Sequence, residues 1–464
     1  MYYLQSRWQL EGKKLFYYGL RNRENMFRNS VALSAAQRRI VSALPKELNA
    51  EEKKILKNLL GVQVVEAGAR KRVPKDWSEA QFCTTCCAND FMIPGLEFDG
   101  QGRCPMCQTE EETASLKSIL PIAGEIPRSK KSRFDVALFY TGGKDSAFLL
   151  YYLSKVKGLR VLALTWEIPF MSESARASIE GAKRAFPRVE FIARTVSRED
   201  LRKIYRKLYA ISENTCACPS LAYVLFYPEL VENRVPYFMA GNEPAQMRAL
   251  YYNHIAPKLA YTFAKNKILT ALYNAGRLLT LHPPLKQGQI QTLMTMKQLA
   301  YGDNIVKKYS GFQGEPVTGV VKAIREVPEI LAPLKRSIRR SSWTGKVPAF
   351  VHIDLDEICG GKYDWQRVKD ILRRECGWVA PADDQKALHT SCKIERCKDR
   401  SQFLRFYRCK SKLIPFSALE IALASRRSAR PREETIYEME HLLGFTLEEL
   451  PECAAMRAFV EGEE

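Results

Sequence analysis

The sequence predicts an α/β protein whose main domain is a doubly wound parallel sheet, preceded by a zinc ribbon and flanked by small domains. Apolar strands alternate with helical stretches after residue 130, and the first of these strands runs into Thr141-Gly-Gly-Lys-Asp-Ser146. Such alternation is typical of a parallel sheet covered by helices on both faces. Two Cys-x-x-Cys pairs indicate the ribbon. We divide the chain into residues 1–75, 76–115, 130–310 and 320–464.

Length and composition indicate a globular protein of several domains. The 464 residues are 46% hydrophobic and 27% charged, and no apolar run reaches the roughly 18 residues that cross a bilayer. The N-terminus lacks a signal-peptide core, so we expect a cytoplasmic protein whose 13 cysteines are not disulfides. The net charge of +20 suits a nucleic acid, another polyanion or an acidic membrane surface, but equally a solvated basic surface without a partner.

Residues 1–75 are predicted to form a small α/β module. Residues 15–18 have the pattern of a strand, Ser34 can cap a helix to Leu44, and Asn49 can cap another that ends before Gly61. The order is similar to that of winged-helix modules, although an extension specific to this protein is the simpler interpretation.

Residues 76–115 contain the four cysteines of the predicted zinc ribbon. Cys83 and Cys86 form one pair, and Cys104 and Cys107 form the other. Two such pairs at this separation are typical of a structural zinc site, because four thiolates complete a tetrahedron and leave no open position for catalysis. Cys87 is a spare that could replace Cys86, and free thiols in a reducing compartment are the alternative.

Residues 130–310 are predicted to hold the doubly wound sheet. The region ends in a long helical stretch from about residue 258 to residue 300. The predicted strands are residues 134–140, 161–165, 189–193 and 237–240, and the predicted helices before that stretch are residues 147–155, 172–186 and 201–210.

The segment from Thr141 to Ser146, which we call the glycine loop, is the strongest functional signal. Gly142 and Gly143 allow the backbone to turn sharply and direct N–H groups at an anion, and the helix that follows adds its own unsatisfied N–H groups. Lys144 supplies a cation. Asp145 would repel a phosphate, so we expect it to hold Mg²⁺ that bridges phosphate oxygens. The sequence therefore predicts ATP binding, with Lys144, Asp145 and Ser146 catalytic; a surface turn with a good helix start is the alternative.

A second polar loop, residues 241–246, follows the fourth predicted strand. Ligands of open parallel sheets bind at the carboxyl ends of the strands, so Gly241, Asn242, Glu243 and Gln246 are expected at the same site as the glycine loop. Thr165, at the end of the second strand, is a further candidate for nucleotide binding. A polar turn without function is the alternative for this second loop.

Residues 320–464 are predicted to be helical and contain further cysteines. Residues 365–374 and 417–426 have helical patterns. Cys216 and Cys218, with Cys392 or Cys397, could hold a metal ion or an iron–sulfur cluster, whereas partly buried thiols without a ligand are the alternative. His389, Cys392, Cys397 and Cys409 could instead form a second zinc site.

The glycine loop resembles the PP-loop of the ATP pyrophosphatase superfamily, usually Ser-Gly-Gly-X-Asp-Ser, with Thr141 in place of the first serine. The resemblance implies a Rossmann-like sheet and a reaction that splits ATP between the α- and β-phosphates. It also implies that a carbonyl oxygen of the substrate is adenylated and that nitrogen or sulfur then displaces AMP.

Within that superfamily, the chain looks most like the N-acetyl sugar amidotransferases of surface-polysaccharide biosynthesis. The similar stretches are residues 93–104, residues 236–246 and the segment from Tyr363 to Trp378. This resemblance implies transfer of ammonia, supplied by a partner glutaminase, to an activated acetamido carbonyl of an N-acetyl sugar.

Sulfur transfer is the alternative second step. PP-loop thiolases use cysteines near the ATP site to carry persulfide sulfur or to bind a [4Fe-4S] cluster, and Cys216-Ala-Cys218 precedes the fourth strand. In that case the acceptor would be tRNA or a small amide, and the partner would be a sulfur donor.

Overall fold

The structure is a computed structural model, and it describes most of the chain. The described residues are 1–20, 30–108, 126–212, 217–253, 267–302, 315–383, 385–388, 390–427 and 429–463. Cys216 and His389 lie outside the described residues, as do residues 258–266 of the predicted helical stretch and residues 109–115 of the predicted ribbon segment. The described part of that stretch forms two helices, Lys267–Leu279 and Gln287–Tyr301, rather than a continuous one.

In the described residues, ten strands form three sheets. Two strands of residues 1–75 pair with each other, three others form an antiparallel sheet, and five build the main sheet. The strands are β1 Tyr2–Leu4, β2 Trp8–Glu11, β3 Lys14–Tyr17, β4 Ser30–Ala32, β5 Val64–Glu66, β6 Val136–Phe139, β7 Val161–Glu167, β8 Glu190–Thr195, β9 Tyr237–Ala240 and β10 Ala349–Phe350.

The α-helices that matter for the architecture surround these sheets. They are α1 Ala35–Ser42, α2 Ala50–Ile55, α3 Pro105–Gln108, α4 Lys144–Tyr151, α5 Glu173–Ala185, α6 Arg198–Ser212, α7 Cys218–Glu232, α8 Pro244–Tyr252, α9 Lys267–Leu279, α10 Gln287–Tyr301, α11 Glu315–Ile324, α12 Pro328–Thr344, α13 Leu355–Ile358, α14 Trp365–Glu375, α15 Glu395–Tyr407, α16 Phe416–Arg426, α17 Arg432–Tyr437 and α18 Pro451–Glu461.

The N-terminal module has a hydrophobic cluster of its own. Leu15, Ile40, Leu56 and Val64 are buried together there, separate from the main core. Both predicted helix starts are confirmed, because Ser34 accepts a hydrogen bond from the Gln37 backbone in a full capping box, and Asn49 begins α2 in the same way. The likeness to winged-helix modules stays a prediction.

The main sheet is parallel, with strand order β10-β9-β6-β7-β8. Its four predicted strands are confirmed, and β6 lies between β7 and β9 and pairs in parallel with both. The fifth strand was not predicted: Ala349 pairs with Tyr237 at the β9 edge. The main sheet is therefore completed from the segment that we assigned to the C-terminal region, and the domain boundaries stay predictions.

Because the strands are parallel, the segments that follow β6 and β9 leave the sheet at the same edge and side by side. The glycine loop follows β6, and residues 241–246 follow β9. The apolar residues of β6 are completely buried, which fixes the start of the glycine loop in the core. In the described residues, no helix is long and apolar enough to cross a membrane.

Candidate active site

The glycine loop joins β6 to α4 in the conformation that its glycines allow. Gly142 has a φ of +75°, and a Cβ atom there would lie 2.5 Å from the carbonyl oxygen of Ala175. Gly143 is the N-cap of α4 and has no side chain, so the first turn of this helix begins without a capping side chain. Ser146 bonds within the loop, since its hydroxyl donates to the Gly143 carbonyl at 3.1 Å.

The loop after β9 packs directly against the glycine loop. A Cβ atom on Gly241 would lie 2.5 Å from the backbone nitrogen of Ser146, so only glycine permits this approach. Glu243 starts the turn into α8, and its backbone N–H donates to the side chain of Gln246 at 3.3 Å. The predicted convergence of the two loops is thereby explained by one backbone contact.

Lys144 is buried among carboxylates and aromatic rings. It forms an ion pair with Asp145, and its ammonium nitrogen is 3.7 Å from Glu243. The same nitrogen is 4.6 Å from the ring centroids of both Tyr363 and Trp365. The cation is therefore held at the base of the site by two charges and two π faces.

The two carboxylates each receive a hydrogen bond from an aromatic side chain. The Tyr363 hydroxyl donates to Asp145 at 2.7 Å, and the Trp365 indole N–H donates to Glu243 at 2.5 Å. A third aromatic residue, Trp378, donates its indole N–H to the Gly142 carbonyl at 3.2 Å. Residues 363–378, which we call the aromatic segment, thus contact both loops of the site.

Glu243 is the most unusual group of the site. It is 1% exposed, and its Oε1 atom has no hydrogen-bond partner among the described residues. Burial raises its pKa well above the usual value of 4.5, and Lys144 opposes that shift. A buried oxygen without a partner favours a bound cation or a hydrogen-bond donor from a substrate.

A cavity joins these groups, and part of its wall comes from the C-terminal region. Among the predicted site residues, the cavity is lined by Thr141, Gly143, Lys144, Asp145, Ser146, Gly241 and Glu243. Gln246, the remaining candidate of the second loop, also lines it. The lining residues that were not predicted are Trp365, Ala387, Leu388, Thr390, Ser391 and Glu420. Gly142 shapes the loop from behind this surface.

Besides Gly142, two further predicted nucleotide-binding residues are not in the cavity lining. Thr165 is buried, and its hydroxyl donates to the Tyr140 carbonyl at 2.9 Å. This bond ties β7 to the end of β6 and occupies the only proton of that hydroxyl. Asn242 lies in the second loop but does not line the cavity formed by the described residues.

Buried polar contacts fix the cavity wall at residues 387–391. Glu438 is completely buried and accepts hydrogen bonds from the backbone N–H groups of Ala387 and Leu388, at 2.9 and 2.7 Å. Ser172, at the start of α5, donates its hydroxyl to Thr390 O at 2.7 Å. Only tertiary structure brings this wall to the glycine loop, so no local sequence signal could have identified it.

Cys83, Cys86, Cys104 and Cys107 form one buried group. Their sulfur atoms all lie within 4.8 Å of one another, and Cys86 and Cys104 are 3.7 Å apart. A tetrahedral zinc ion with Zn–S bonds of about 2.3 Å requires sulfurs about 3.8 Å apart, so the group fits zinc. A [4Fe-4S] cluster requires wider spacing, since each thiolate binds a different iron.

Cys87 does not join this group. Its sulfur is 3.0 Å from the Ser425 hydroxyl on α16, so it packs the ribbon against the C-terminal helices. The expectation that Cys87 could replace Cys86 finds no support, because Cys86 occupies that position.

The other cysteines do not form a second group in the part of the chain that is described. Cys218 begins α7, Cys392 forms an isolated β-bridge with Met171, and Cys397 lies on α15 beside Cys453 of α18. The contact with Cys397 lowers the pKa of Cys453 to about 7. Among the described residues, the four ribbon cysteines are the one set that could hold a metal ion.

Comparison with known proteins gives a limited result. No protein-family model matches the chain, and no curated protein does. Among solved structures, the chain is similar to the U34-tRNA thiolase NcsA from Methanococcus maripaludis with its [4Fe-4S] cluster. The identity is 14%, the match covers 64% of this chain and 98% of the thiolase chain, and the TM-score is 0.22.

Proposed function

We propose that the chain is an ATP-dependent adenylating enzyme of the PP-loop ATP pyrophosphatase type, which converts ATP to AMP and pyrophosphate. The observation that carries this proposal is that Gly241 packs against the glycine loop and that both loops line one cavity at the start of α4. A left-handed glycine, free helix N–H groups and a nearby lysine are the features that bind phosphate.

In this proposal the residues of the site have distinct roles. Backbone N–H groups from Gly142 to Ser146 stabilise the negative charge that develops on the α-phosphate when a substrate carbonyl oxygen attacks it. Lys144 offsets the charge of Asp145 and lies 3.7 Å from the carboxyl group of Glu243 at the buried base of the site. Asp145 and the unpartnered oxygen of Glu243 fit Mg²⁺, which would neutralise the phosphates and the pyrophosphate leaving group.

The test is product analysis with ATP labelled at the α- or γ-phosphate, in extracts that supply the acceptor. We expect AMP and pyrophosphate, and no turnover of an ATP analogue with a methylene bridge between the α- and β-phosphates. Asp145→Asn should lose this activity, and Asp370→Asn, an exposed carboxylate on α14, should retain it. Release of ADP and phosphate, or full activity of Asp145→Asn, would exclude the assignment.

For the second step we propose nitrogen transfer to an amide carbonyl such as that of an N-acetyl sugar. Support comes from the aromatic segment, because the residues that carry the resemblance to N-acetyl sugar amidotransferases, Tyr363 to Trp378, are also those that contact the site. The nitrogen would come from a partner glutaminase.

Sulfur transfer to tRNA or a small amide, with Cys216 and Cys218, is the second candidate. Its support is the position of Cys218, which starts the helix that runs into β9, together with the basic charge of the chain. The thiolase named above has the same chemistry, but its TM-score is too low for the likeness to decide between the candidates.

Anaerobic purification separates the two second steps. Iron and sulfide bound to the protein, and lost in Cys218→Ser, would favour sulfur transfer. A colourless protein with only zinc at the ribbon, and acceptor-dependent turnover with ammonium salts, would favour nitrogen transfer.

A further inference from the structure

One surface of the protein, formed by α9, α12 and the residues that follow them, exposes large apolar side chains. Leu279 and Leu281 are 86% and 81% exposed, and Leu272 and Trp343 are 63% and 59% exposed. Leu278 and Ile268 are also exposed there, so that half of the exposed large hydrophobic residues of the described chain lie on these two short segments. Isolated exposed apolar residues are common, but a concentration of this kind marks a contact surface.

The two segments are joined at their ends into one surface. Arg277 donates to the Ser342 carbonyl at 2.8 Å, and the ring of His282 lies 4.5 Å from that of Trp343. On α9 the exposed residues Leu272 and Leu279 are about two turns apart and share one face. We call this surface the α9–α12 face.

The same segments are strongly basic. Residues 267–302 and 328–353 contain nine lysines and arginines, of which Arg277 is buried, and one acidic residue, Glu329 in the first turn of α12. On α12, Arg336, Arg340 and Trp343 are spaced four and three residues apart, and together with Arg339 and Lys346 they are exposed. These cations lie toward the C-terminal end of α12, near the contact of Trp343 with His282 and away from Glu329.

We propose that the α9–α12 face binds the surface of a membrane that contains anionic lipids. Aliphatic side chains and a tryptophan can enter the region between headgroups and acyl chains, while arginines and lysines pair with the anionic headgroups. Neither contribution alone gives stable binding at such a surface, but the two add where they lie close together, as Leu281 and Trp343 do through the contact of His282 with Trp343.

Two other occupants fit the observations less well. A nucleic acid would use the cations, but it has no apolar surface for four exposed leucines, and stacking platforms for bases are aromatic. A second copy of the chain could cover the leucines, but a symmetric contact would bring the two sets of cations together, and like charges across an interface are strongly unfavourable.

The test is flotation of the full chain with vesicles of phosphatidylglycerol and phosphatidylcholine, or of phosphatidylcholine alone. We expect binding only to the anionic vesicles, weakened by salt. Arg339→Ser/Arg340→Ser should lower the partition coefficient about 30-fold, and Leu279→Ser/Leu281→Ser should lower it at least about tenfold. Arg38→Ser/Arg39→Ser, an exposed arginine pair on α1, is the matched control and should bind as the unmodified protein does.

Three results would overturn the proposal. Absence of binding to anionic vesicles at low salt is the first. Loss of binding in the arginine variant but not in the leucine variant would indicate a general polyanion surface, such as one for RNA. A dimer in solution that the leucine variant converts to a monomer, without vesicle binding, would indicate an interface between copies.

Discussion

The hydroxyl of Tyr363 donates a hydrogen bond to the carboxylate of Asp145 at 2.7 Å, although the two residues are 218 positions apart in the sequence. Asp145 follows the first strand of the main sheet, and Tyr363 lies beyond the last. The relationship shows that the carboxylate expected to hold Mg²⁺ is oriented by a neutral donor from the C-terminal region. The neutral donor adds no second positive charge to that of Lys144, which already forms an ion pair with Asp145.

Removal of this hydroxyl should impair the reaction without unfolding the protein. Tyr363→Phe retains the ring beside Lys144 but loses the bond to Asp145. A hydrogen bond to a charged group contributes about 1.5–3 kcal/mol, so we expect kcat/KM for ATP to fall roughly tenfold or more. Tyr227→Phe removes a buried bond to Ser341, away from the site, and should leave kcat/KM unchanged. Equal effects of the two changes on kcat/KM would contradict an orienting role for Tyr363.

Glu243 should lower the stability of the protein at neutral pH. Its folded-state pKa is raised above 4.5, chiefly by burial, so the folded protein retains a proton that the unfolded chain has lost. The resulting stability is complete below about pH 4.5 and is lost as the pH rises through the folded-state pKa. Glu243→Gln has no group that titrates there, so the Tm of this variant should exceed that of the unmodified protein by an amount that grows between pH 5 and pH 8. The variant should have no adenylation activity.

The matched control for this prediction is Glu438→Gln. Glu438 is equally buried, but it is paired with Arg430 and accepts two backbone hydrogen bonds. Its replacement should therefore destabilise the protein, because the buried Arg430 loses its buried partner and keeps only the exposed carboxylate of Glu434. A Glu243→Gln protein that is less stable than the unmodified protein at pH 8 would show that the ion pair with Lys144 outweighs burial.

Gly241→Ala should separate the two loops of the site. The added methyl group would lie 2.5 Å from the backbone of Ser146, and this backbone cannot move without disturbing the glycine loop. Overpacking of this kind costs about 1–3 kcal/mol, and we expect nucleotide affinity, measured by calorimetry, to fall more than stability. Gly276→Ala, in the exposed interior of α9 with no atom near the added methyl group, should slightly stabilise the protein and bind nucleotide normally.

The four ribbon cysteines should bind one zinc ion that the fold requires. Cys104→Ser removes one ligand, and we expect loss of zinc by elemental analysis and a decrease in Tm of about 10 °C or more. Cys87→Ser is the control, because Cys87 is buried next to the group but contacts Ser425 instead. Its zinc content should remain one per chain, and a loss of zinc from this variant would mean that Cys87 is a ligand.

The sequence was sufficient for the parts of the fold that local patterns encode. Helix α5 has Ser172 as N-cap and Phe186 as C-cap, the two residues at which the helix was predicted to begin and end, and β9 has its predicted bounds. Helix α7 was not predicted, because its own apolar residues are distributed around all sides of the helix and leave no helical periodicity in the sequence. Strand β10 has two residues, too few for any alternating pattern, and only its pairing with β9 defines it.

The candidate site was predictable only where its residues are adjacent in the chain. The glycine loop and Gly241 were found from their local sequence. The contacts of Trp365 and Glu438 depend on how the C-terminal region packs, since neither an indole bonded to Glu243 nor a carboxylate that fixes residues 387–388 leaves a pattern in the sequence.

The late position of β10 and the aromatic segment affects when this protein can first function during its synthesis. The glycine loop leaves the ribosome more than two hundred residues before Tyr363 and Trp365, and translation at about 5–20 residues per second makes this an interval of tens of seconds. In that interval Asp145 and Lys144 have no aromatic partners, and the β9 edge of the sheet is not covered by β10. A nascent chain is therefore most exposed to edge-to-edge aggregation just when its nucleotide site is incomplete.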